Sequence, residues 1–207
     1  MSATQVRVSA QDRRHQILEL ATELFARQGY EGTTTRQLAK LAGVNEAIIF
    51  RHFPSKQELY WEVIEQQCAM RGGRAQLRHR LAGEGAEREI FVEIAREMLA
   101  RNRVLMRLLL FSALEKHQLS ERFFRTHVAQ YYEVLAEYIR KGIDQGRFRP
   151  TDPMLAARGF LGMLVYHFQI QELFGGREYQ DFDRQKVAET YVDIWLQGME
   201  RRAERSL

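Results

Sequence analysis

The sequence predicts an all-α protein, and three observations support that fold class. Apolar residues recur at three- and four-residue spacing along almost the whole chain, which is the period of an amphipathic helix. Only three prolines occur in 207 residues, and each lies beside a turn signal. Glycines interrupt the periodic segments at places where helices would end. We therefore expect about nine helices, without an internal repeat or a low-complexity segment.

The first helix is predicted over residues 10–28. Its apolar positions fall on one stripe, and Gly29 supplies a stop signal directly after them. The residues of that stripe are Ile17, Ala21, Leu24 and Phe25.

Two brief helices are predicted next, separated by a turn at Gly43. The first begins at Thr35, which we take as its N-cap, and ends near Ala42. The second covers residues 45–52. A longer helix then follows Pro54, with Ser55 as its N-cap. Three short helices within about 45 residues indicate a small N-terminal domain, which we place at residues 1–58.

Residues 59–207 are predicted to form a second helical domain. Helices are expected at about 86–101, 103–117, 120–145, 153–174 and 183–203. The clearest start signal among them is Asp152 as N-cap followed by Pro153 at the first helical position. Glycine-rich stretches near residues 72 and 85 weaken the helical pattern there, so the boundary between the two domains is expected somewhere between residues 55 and 85.

Composition narrows the class of protein without naming a partner. A net charge of +4 is compatible with a polyanionic partner but is too small to indicate one. The single cysteine, Cys68, cannot form an intramolecular disulfide, and no Cys/His cluster suggests a metal site. No apolar run approaches the roughly 20 residues that span a bilayer, and the N-terminus does not resemble a signal peptide. We expect a cytoplasmic protein with no metal, no cofactor and no membrane partner.

The two brief helices have the spacing of a helix-turn-helix. Such a motif needs a small residue where its helices cross, a turn residue that tolerates a left-handed backbone, and an apolar anchor on its second helix. Ala39, Gly43 and Ile49 meet those three demands. Ordinary helical hairpins also contain alanine and glycine, so the spacing alone leaves both interpretations open.

A longer string makes the comparison more specific. Residues 29–60, GYEGTTTRQLAKLAGVNEAIIFRHFPSKQELY, resemble the N-terminal domain of the TetR family of transcriptional regulators. The shared features are the turn at Gly29 and Tyr30, two successive threonines, the Ala39–Val44 turn, the aromatic-rich end of the second helix, and Pro-Ser-Lys before Leu59. The remainder resembles the family only in length and helical content.

The resemblance implies that the helix over residues 45–52 lies in the major groove of DNA while Thr35 and Lys56 bind flanking phosphates. A helix N-terminus suits phosphate, and the fork of Arg36 suits a guanine edge. The expected DNA-binding residues are Thr34, Thr35, Arg36, Asn45, Glu46, Ala47, Ile48, Phe50, Arg51, His52, Ser55 and Lys56. Among them, Glu46 suits a cytosine amino group and Ala47 a thymine methyl. The alternative for the polar ones, Asn45, Glu46 and His52 above all, is a solvated surface.

Two positions depart from the family pattern. Residue 48 is usually small or hydroxylated and residue 50 is usually a tyrosine, but this chain has Ile48 and Phe50. Neither side chain can donate a hydrogen bond. Unlike the expected DNA-binding residues of this helix, Ile49 and Phe53 are expected to point into the core.

The helix over residues 153–174 is apolar nearly all round, which indicates burial on more than one side. In the family that this chain resembles, this helix and the last one pair with their symmetry mates in a homodimer. The corresponding interface residues would be Ala156, Gly159, Phe160, Tyr191, Trp195 and Gly198. The alternative is a core formed within one chain.

The resemblance also implies a cavity for a small-molecule effector among the middle helices. Candidate lining residues are Phe91, Met98, Met106, Leu109, Phe124, Tyr131, Met163, Tyr166 and His167. Aromatic and methionine side chains at helical spacing are above all what ordinary cores are made of, so the alternative for each residue is a plain core position. If they line a cavity, the effector is largely apolar, and His167 is the best polar contact.

These features together predict a ligand-responsive repressor that binds a palindromic operator in double-stranded DNA as a homodimer. Activation instead of repression stays open. Two other classes compete with this prediction: a helical enzyme or small-molecule binder, and a DNA-coating protein without sequence preference. The sequence offers no nucleophile–base motif, phosphate-binding loop or metal cluster, so we do not expect an enzyme.

Overall fold

The structure is a computed structural model that describes residues 9–69, 73–83, 85–100, 102–115 and 118–201. Within these ranges the chain is helical, and β pairing is limited to an isolated antiparallel bridge between Phe148 and Glu200. The predicted all-α fold class is confirmed.

The helices follow the predicted order with several changes in their bounds. They are α1 Ala10–Gln28, α2 Thr35–Ala42, α3 Glu46–His52, α4 Lys56–Ala69, α5 Gly73–Leu81, α6 Glu87–Leu99, α7 Arg103–Leu114, α8 Gln118–Phe123, α9 Ala129–Asp144, α10 Pro153–Leu173, α11 Gly176–Tyr179 and α12 Arg184–Met199. A π-helical turn, Phe124–Val128, joins α8 to α9 without a break. In the described residues the structure adds two short helices to those expected, α5 and α11, and it divides the segment predicted at 120–145 among α8, the π-helical turn and α9.

Two of the predicted helix ends have the expected geometry. Gly29 follows α1 with φ 77° and ψ −179°, a region of backbone conformation that is essentially restricted to glycine. Asp152 caps α10 through a hydrogen bond from the backbone N–H of Leu155 at 2.8 Å, with Pro153 in the first turn. Glycine and proline therefore mark these boundaries for the reasons that the sequence suggested.

The chain divides into two compact units. The first unit contains the described residues within Met1–Arg71 and Val104–Glu121. Helix α7 therefore belongs to the same unit as helices α1, α2, α3 and α4, although it lies far from them in sequence. The core of this unit holds an aromatic group in which Tyr60 meets Phe25 edge-on with ring centroids 4.7 Å apart and Tyr30 with centroids 5.3 Å apart.

The second unit contains the described residues within Gly72–Arg103 and Arg122–Leu207. In it α10 packs on α9 and α12 packs on α6. The core is centred on Phe91, whose ring lies 4.7 Å from Trp195 and 5.1 Å from Phe160 between centroids. At the surface of this unit, Arg88 of α6 binds both carboxylate oxygens of Asp193 on α12, at 2.6 and 3.0 Å.

None of the helices in the described part of the chain combines the length and the apolar character that crossing a membrane would require.

Candidate nucleic-acid interface

The α2–turn–α3 segment has the backbone geometry of a helix-turn-helix. Gly43 adopts the left-handed conformation, with φ 64° and ψ 34°, directly after α2. The N–H of Val44 then donates to the carbonyl of Ala39 at 2.9 Å, which closes the end of α2 before the chain enters α3. The predicted role of Gly43 as the turn residue is confirmed.

The start of α2 differs from the prediction by one residue. Thr34, not Thr35, is the N-cap: its hydroxyl accepts from the N–H of Gln37 at 3.1 Å. The side chain of Gln37 accepts in return from the N–H of Thr34 at 3.0 Å. This reciprocal capping box fixes the choice, because only Thr34 has a glutamine three residues later. Thr35 is thereby left in the first turn of α2, where its hydroxyl does not cap the helix.

The inner face of α3 anchors the motif. Ile49 and Phe53 are each 1% exposed, and they lie with Leu38, Ala39 and Ala42 in the core of the first unit. The expectation that Ile49 and Phe53 point inward is confirmed. Because α3 has only two turns, this anchor decides which of its residues face solvent.

The outer face of α3 is partly apolar. Ala47 and Arg51 are exposed, Phe50 is 45% exposed, and Ile48 is half-buried. Asn45 is not inside the helix as predicted but forms its N-cap, accepting from the N–H of Ile48 at 3.0 Å. The side-chain oxygen of Asn45 therefore accepts a hydrogen bond within the protein, while its side-chain NH2 group can still donate to a base.

Glu46 and Thr35 connect the first turns of α2 and α3. The hydroxyl of Thr35 donates to a carboxylate oxygen of Glu46 over 3.0 Å. Both side chains are half-buried. The bond orients the carboxylate at the N-terminal end of α3, and it occupies the only hydrogen that the Thr35 hydroxyl can donate.

Unpaired cations surround the outer face of α3. Arg36, Lys40 and Arg51 are exposed, and none of these three forms an ion pair with the part of the chain that the structure describes. Such side chains are suited to phosphate or to a guanine edge. The α2–α3 surface therefore combines positive charge at its edges with an apolar centre.

Lys56 lies at the start of α4 with its ammonium over the ring of Tyr30, 4.1 Å from the centroid. Burial lowers the pKa of Lys56, while the charges of Glu31 and Glu115 act in the opposite direction. Ser55 caps the same helix by accepting from the N–H of Glu58 at 3.1 Å. The cation–π contact holds Lys56 in one place, at the same end of α4 as the expected phosphate contact.

Two arginines near the start of α1 contact the helix-turn-helix, one at the end of α2 and one at Phe53 directly after α3. Arg13 donates to the carbonyl of Ala42 at the end of α2, over 3.2 Å. Arg14 lies over the ring of Phe53, 4.8 Å from its centroid, and pairs with Glu62 at 2.5 Å. Arg13 and Arg14 are neighbours near the start of α1, and that local position gives no sign of either contact.

His52 ends α3 beside this arginine group. Its Nε2 is buried and has no hydrogen-bond partner among the described residues. Burial lowers the pKa of His52, and the charges of Arg51, Arg14 and Arg13 lower it further, in that order. His52 is therefore a neutral residue at pH 7.

Helix α7 supports the turn between α1 and α2. The carboxylate of Glu115, directly after α7, accepts from the N–H of Tyr30 at 3.1 Å and from that of Glu31 at 3.3 Å. A Cβ added to Gly29 would lie 2.3 Å from the Glu115 carboxylate, so a larger residue there would displace that carboxylate from its two hydrogen bonds, in addition to straining the backbone.

Arg107 of α7 holds the end of α1 from the same side. Its guanidinium donates to the carbonyl of Ala26 at 2.5 Å and to that of Arg27 at 3.4 Å. Tyr60 of α4 donates in turn to the carbonyl of Leu108 at 2.7 Å. These contacts join residues 48 to 81 positions apart, and no local sequence signal predicts them.

Comparisons with known proteins agree with this geometry. Residues 17–63 match the model of the bacterial regulatory proteins of the tetR family, and residues 86–198 match the C-terminal domain of AefR-like transcriptional repressors. The chain belongs to the TetR family. It is a DNA-binding transcriptional regulator, as the resemblance in residues 29–60 predicted.

Individual relatives of this TetR-family regulator cover most of its length. It is 26% identical over 211 residues to the regulator AcrR of Shigella flexneri, covering 94% of this chain and 93% of that protein. It is 30% identical to the repressor AcnR of Corynebacterium efficiens, covering 68% of this chain and 71% of AcnR. The structure of AibR with isovaleryl coenzyme A and operator DNA shares the fold, with a TM-score of 0.67 at 22% identity over 88% of this chain and 97% of AibR.

The residues expected to line an effector cavity in this regulator divide between the two units. Met106 and Leu109 lie on α7 in the first unit, and the others lie in the second. Of those, Phe91 and Met98 are buried in the core, and Tyr131 and Met163 pack partly buried against it. Phe124 and Tyr166 are exposed, by 45% and 66%.

His167 has a defined polar partner. Its Nδ1 lies 3.2 Å from the hydroxyl of Tyr191, and the ring of Phe182 packs edge-on against the imidazole. Burial lowers the pKa of His167. Beside it is a small cavity of about 20 Å³ that Gln171 and Glu172 also line. That volume suits a water molecule and is too small for an organic effector.

The residues expected at a dimer interface differ in their burial. Phe160 and Trp195 are 0% and 7% exposed and belong to the core, where the indole N–H of Trp195 donates to the carbonyl of Ala156 at 3.1 Å. Gly159 and Gly198 are exposed, while Ala156 and Tyr191 are partly buried against the core. The apolar pattern of α10 gave no way to decide which of its sides faces outward.

The described residues contain no group of three or more histidine, cysteine, aspartate or glutamate side chains that could hold a metal ion.

Proposed function

We propose that this TetR-family regulator represses transcription by binding an inverted-repeat operator as a homodimer, and that a small, largely apolar effector releases it. The observation that carries the proposal is the α2–Gly43–α3 motif, whose inner residues are buried and whose outer face is free. An exposed, firmly anchored second helix is what insertion into a major groove requires.

Phosphate contacts would position the motif on DNA. The N-termini of α2 and α4, capped by Thr34 and Ser55, present backbone N–H groups of the kind that bind phosphate. Lys56, directly after the cap of α4, adds a cation. Arg36 and Arg51 would reach a base edge or a phosphate from the rim of the same surface. Ala47, Ile48 and Phe50 would make apolar contacts in the groove, where thymine methyls are the matching groups.

The exposed sides of α10 and α12 support the proposed homodimer. Leu155 and Tyr166 are each 66% exposed and Ile194 is 54% exposed. On the same two helices, Cβ atoms added to Gly159, Gly162 or Gly198 would meet nothing within 4 Å. Bare backbone beside exposed apolar side chains lets helices of two copies approach closely. The proposed interface therefore keeps the two glycines of the sequence prediction and adds Leu155, Gly162, Tyr166 and Ile194.

A dimer would give the regulator its operator symmetry. A two-fold axis places two α3 helices about one DNA turn, roughly 34 Å, apart, so that the preferred site is an inverted repeat. Repression is supported by the name of the AcnR relative, which is a repressor. The cytoplasm is the proposed location because the operator lies there.

The proposed effector would bind among the aromatic and methionine side chains of the middle helices. Tyr131, Met163 and the His167–Tyr191 pair supply apolar surface and polar groups that suit an apolar ligand with a polar group. Because the cavity beside His167 holds only about 20 Å³, the effector would bind a conformation in which these side chains have moved apart. If the effector weakens DNA binding about 100-fold, DNA must weaken effector binding by the same factor. Titrating a candidate effector with and without operator DNA tests that reciprocity.

The operator proposal is tested by selecting bound sequences from a randomised duplex pool at about 150 mM salt, where nonspecific phosphate binding is weak. We expect an inverted repeat. Failure to enrich any sequence, together with salt-sensitive binding to all duplexes, would instead identify a DNA-coating protein.

The dimer proposal is tested by sedimentation of the full chain. We expect a dimer for the wild type and a monomer for Leu155→Glu, because a buried unpaired carboxylate is costly at an interface. Leu114→Glu is the matched control, since Leu114 is 79% exposed and lies on α7 outside this face. A dimer that persists in Leu155→Glu would exclude this face.

A further inference from the structure

We infer that Glu46, oriented by Thr35, makes each half-site select one cytosine, and this inference rests on the proposed operator binding. Glu46 is the first residue of α3, and the N-terminal residues of a recognition helix are those that reach base edges. Its carboxylate is held by the 3.0 Å bond from the Thr35 hydroxyl. Its neighbours on the outward surface are cations, apolar side chains and the neutral amide of Asn45, so Glu46 gives this surface an acceptor with a full negative charge.

The chemistry of a carboxylate selects among the four bases. It can only accept hydrogen bonds at pH 7, whereas guanine presents two acceptors in the major groove and thymine presents O4. Adenine offers an amino group but places the N7 acceptor beside it. The N4 amino group of cytosine has an acceptor on one side only, the O6 of the paired guanine, whereas the amino group of adenine lies between its own N7 and the O4 of the paired thymine. Cytosine is therefore the base that a carboxylate meets with least repulsion.

Thr35 acts as a positioning residue for that contact. Its one hydroxyl hydrogen is used by Glu46, which leaves it no hydrogen to donate to a phosphate oxygen. The bond also restricts the rotamers of the glutamate before DNA arrives, so less side-chain freedom is lost on binding. In this chain, then, the hydroxyl of Thr35 contributes to base preference, and phosphate binding at α2 falls to backbone N–H groups.

A carboxylate at this place has a second effect, on nonspecific DNA. It repels the phosphate backbone wherever no cytosine amino group is in reach, so that it lowers the affinity for other sequences. Replacing Glu46 by alanine should therefore raise the affinity for random duplex DNA while abolishing the preference for cytosine. A residue with a merely structural role would lower both affinities, because its loss would disturb α3 on every sequence.

The experiment measures base preferences in full-length wild type, Glu46→Gln, Glu46→Ala, Thr35→Val and Thr35→Ser by selection from the randomised duplex pool. In wild type we expect cytosine to be preferred about fivefold or more at one position of each half-site, the lower end of a good base contact. Both Glu46 variants should lose the preference at that position alone. Thr35→Val should weaken it and Thr35→Ser should keep it. Glu23→Gln, which removes an exposed carboxylate of α1, is the control for charge.

Different results overturn different parts of the reasoning. An unchanged base profile in the Glu46 variants refutes cytosine reading while leaving the operator proposal intact. A uniform loss of affinity in Thr35→Val, with the cytosine preference kept, shows that Thr35 binds phosphate after all. Absence of any inverted repeat in wild type refutes the proposed function itself.

A second measurement needs no variant and so does not depend on folding. Wild-type protein is titrated against the selected duplex and against one in which the chosen cytosine is replaced by 2-pyrimidinone, which lacks the 4-amino group. We expect the substitution to weaken binding about fivefold, because it removes the amino group that donates to the Glu46 carboxylate. Equal affinities for the two duplexes would overturn the inference.

Discussion

Replacing Glu115 by alanine is expected to loosen the turn that leads into α2. The carboxylate accepts two backbone hydrogen bonds there, at 3.1 Å from the N–H of Tyr30 and at 3.3 Å from that of Glu31. A hydrogen bond to a charged group contributes about 1.5–3 kcal/mol. Since the one to Glu31 is exposed and water can replace it, we expect a total loss of about 2 kcal/mol from the free energy of unfolding of the first unit.

The assay is amide hydrogen exchange, because it reports on these two N–H groups directly. A loss of about 2 kcal/mol corresponds to roughly 30-fold faster exchange at Tyr30 and Glu31. The thermal midpoint should fall by about 4–8 °C, as expected for a chain of this size. Glu23→Ala is the matched control, because Glu23 is an exposed carboxylate on α1 with no bond to other described residues.

Unchanged exchange rates at Tyr30 and Glu31 in Glu115→Ala would refute the reasoning. They would show that water is as good a hydrogen-bond acceptor for these two N–H groups as the Glu115 carboxylate is. Glu115→Gln refines the result. The glutamine keeps an acceptor but loses the charge, so an intermediate exchange rate is expected.

Three further predictions concern the α2–α3 motif. Ile49→Ala should destabilise the first unit by about 2–5 kcal/mol in denaturant unfolding, whereas Ile49→Val should cost only about 0.5–1.5 kcal/mol; similar losses for both would show that the site relaxes around the cavity. Gly43→Ala should cost about 1–2 kcal/mol from its left-handed backbone alone, because its Cβ would meet nothing within 4 Å, and an unchanged unfolding midpoint would contradict that origin. The pKa of His52 is lowered in the folded protein, so the unfolded chain binds the proton more tightly. Stability should therefore be highest above the ordinary pKa of about 6.5 and fall as the pH drops through it; His52→Asn should flatten that part of the stability–pH curve, and an identical curve would exclude His52 as its source.

The N-terminal motif could be predicted from the sequence because its determinants are local. Gly43 marks the turn through its backbone, and the burial of Ile49 and Phe53 follows from helical spacing. The choice between Thr34 and Thr35 as N-cap was also encoded, in the Thr-x-x-Gln pattern ending at Gln37, but two adjacent threonines concealed it.

The contacts of α7 and the outward side of α10 could not be predicted in this way. Arg107 and Glu115 bind backbone groups about 80 residues away, and such partners leave no periodic signal in either segment. Helix α10 is apolar on nearly every side, so its spacing does not separate Phe160, which is buried, from Tyr166, which is exposed. Burial by a distant segment depends on the tertiary fold, and a helical period reports only on local geometry.

The membership of α7 in the first unit bears on how regulators of this kind can be recombined. A fragment that ended after α4 would lack the Leu108 carbonyl that accepts from Tyr60, the guanidinium at the end of α1 and the carboxylate at Gly29. The first compact unit is thus discontinuous in sequence, and a splice junction placed between α4 and α7 would cut through it. A chimaera that transfers DNA specificity from this chain to another regulator should carry α7 along with α1–α4, or graft only the outward residues of α2 and α3.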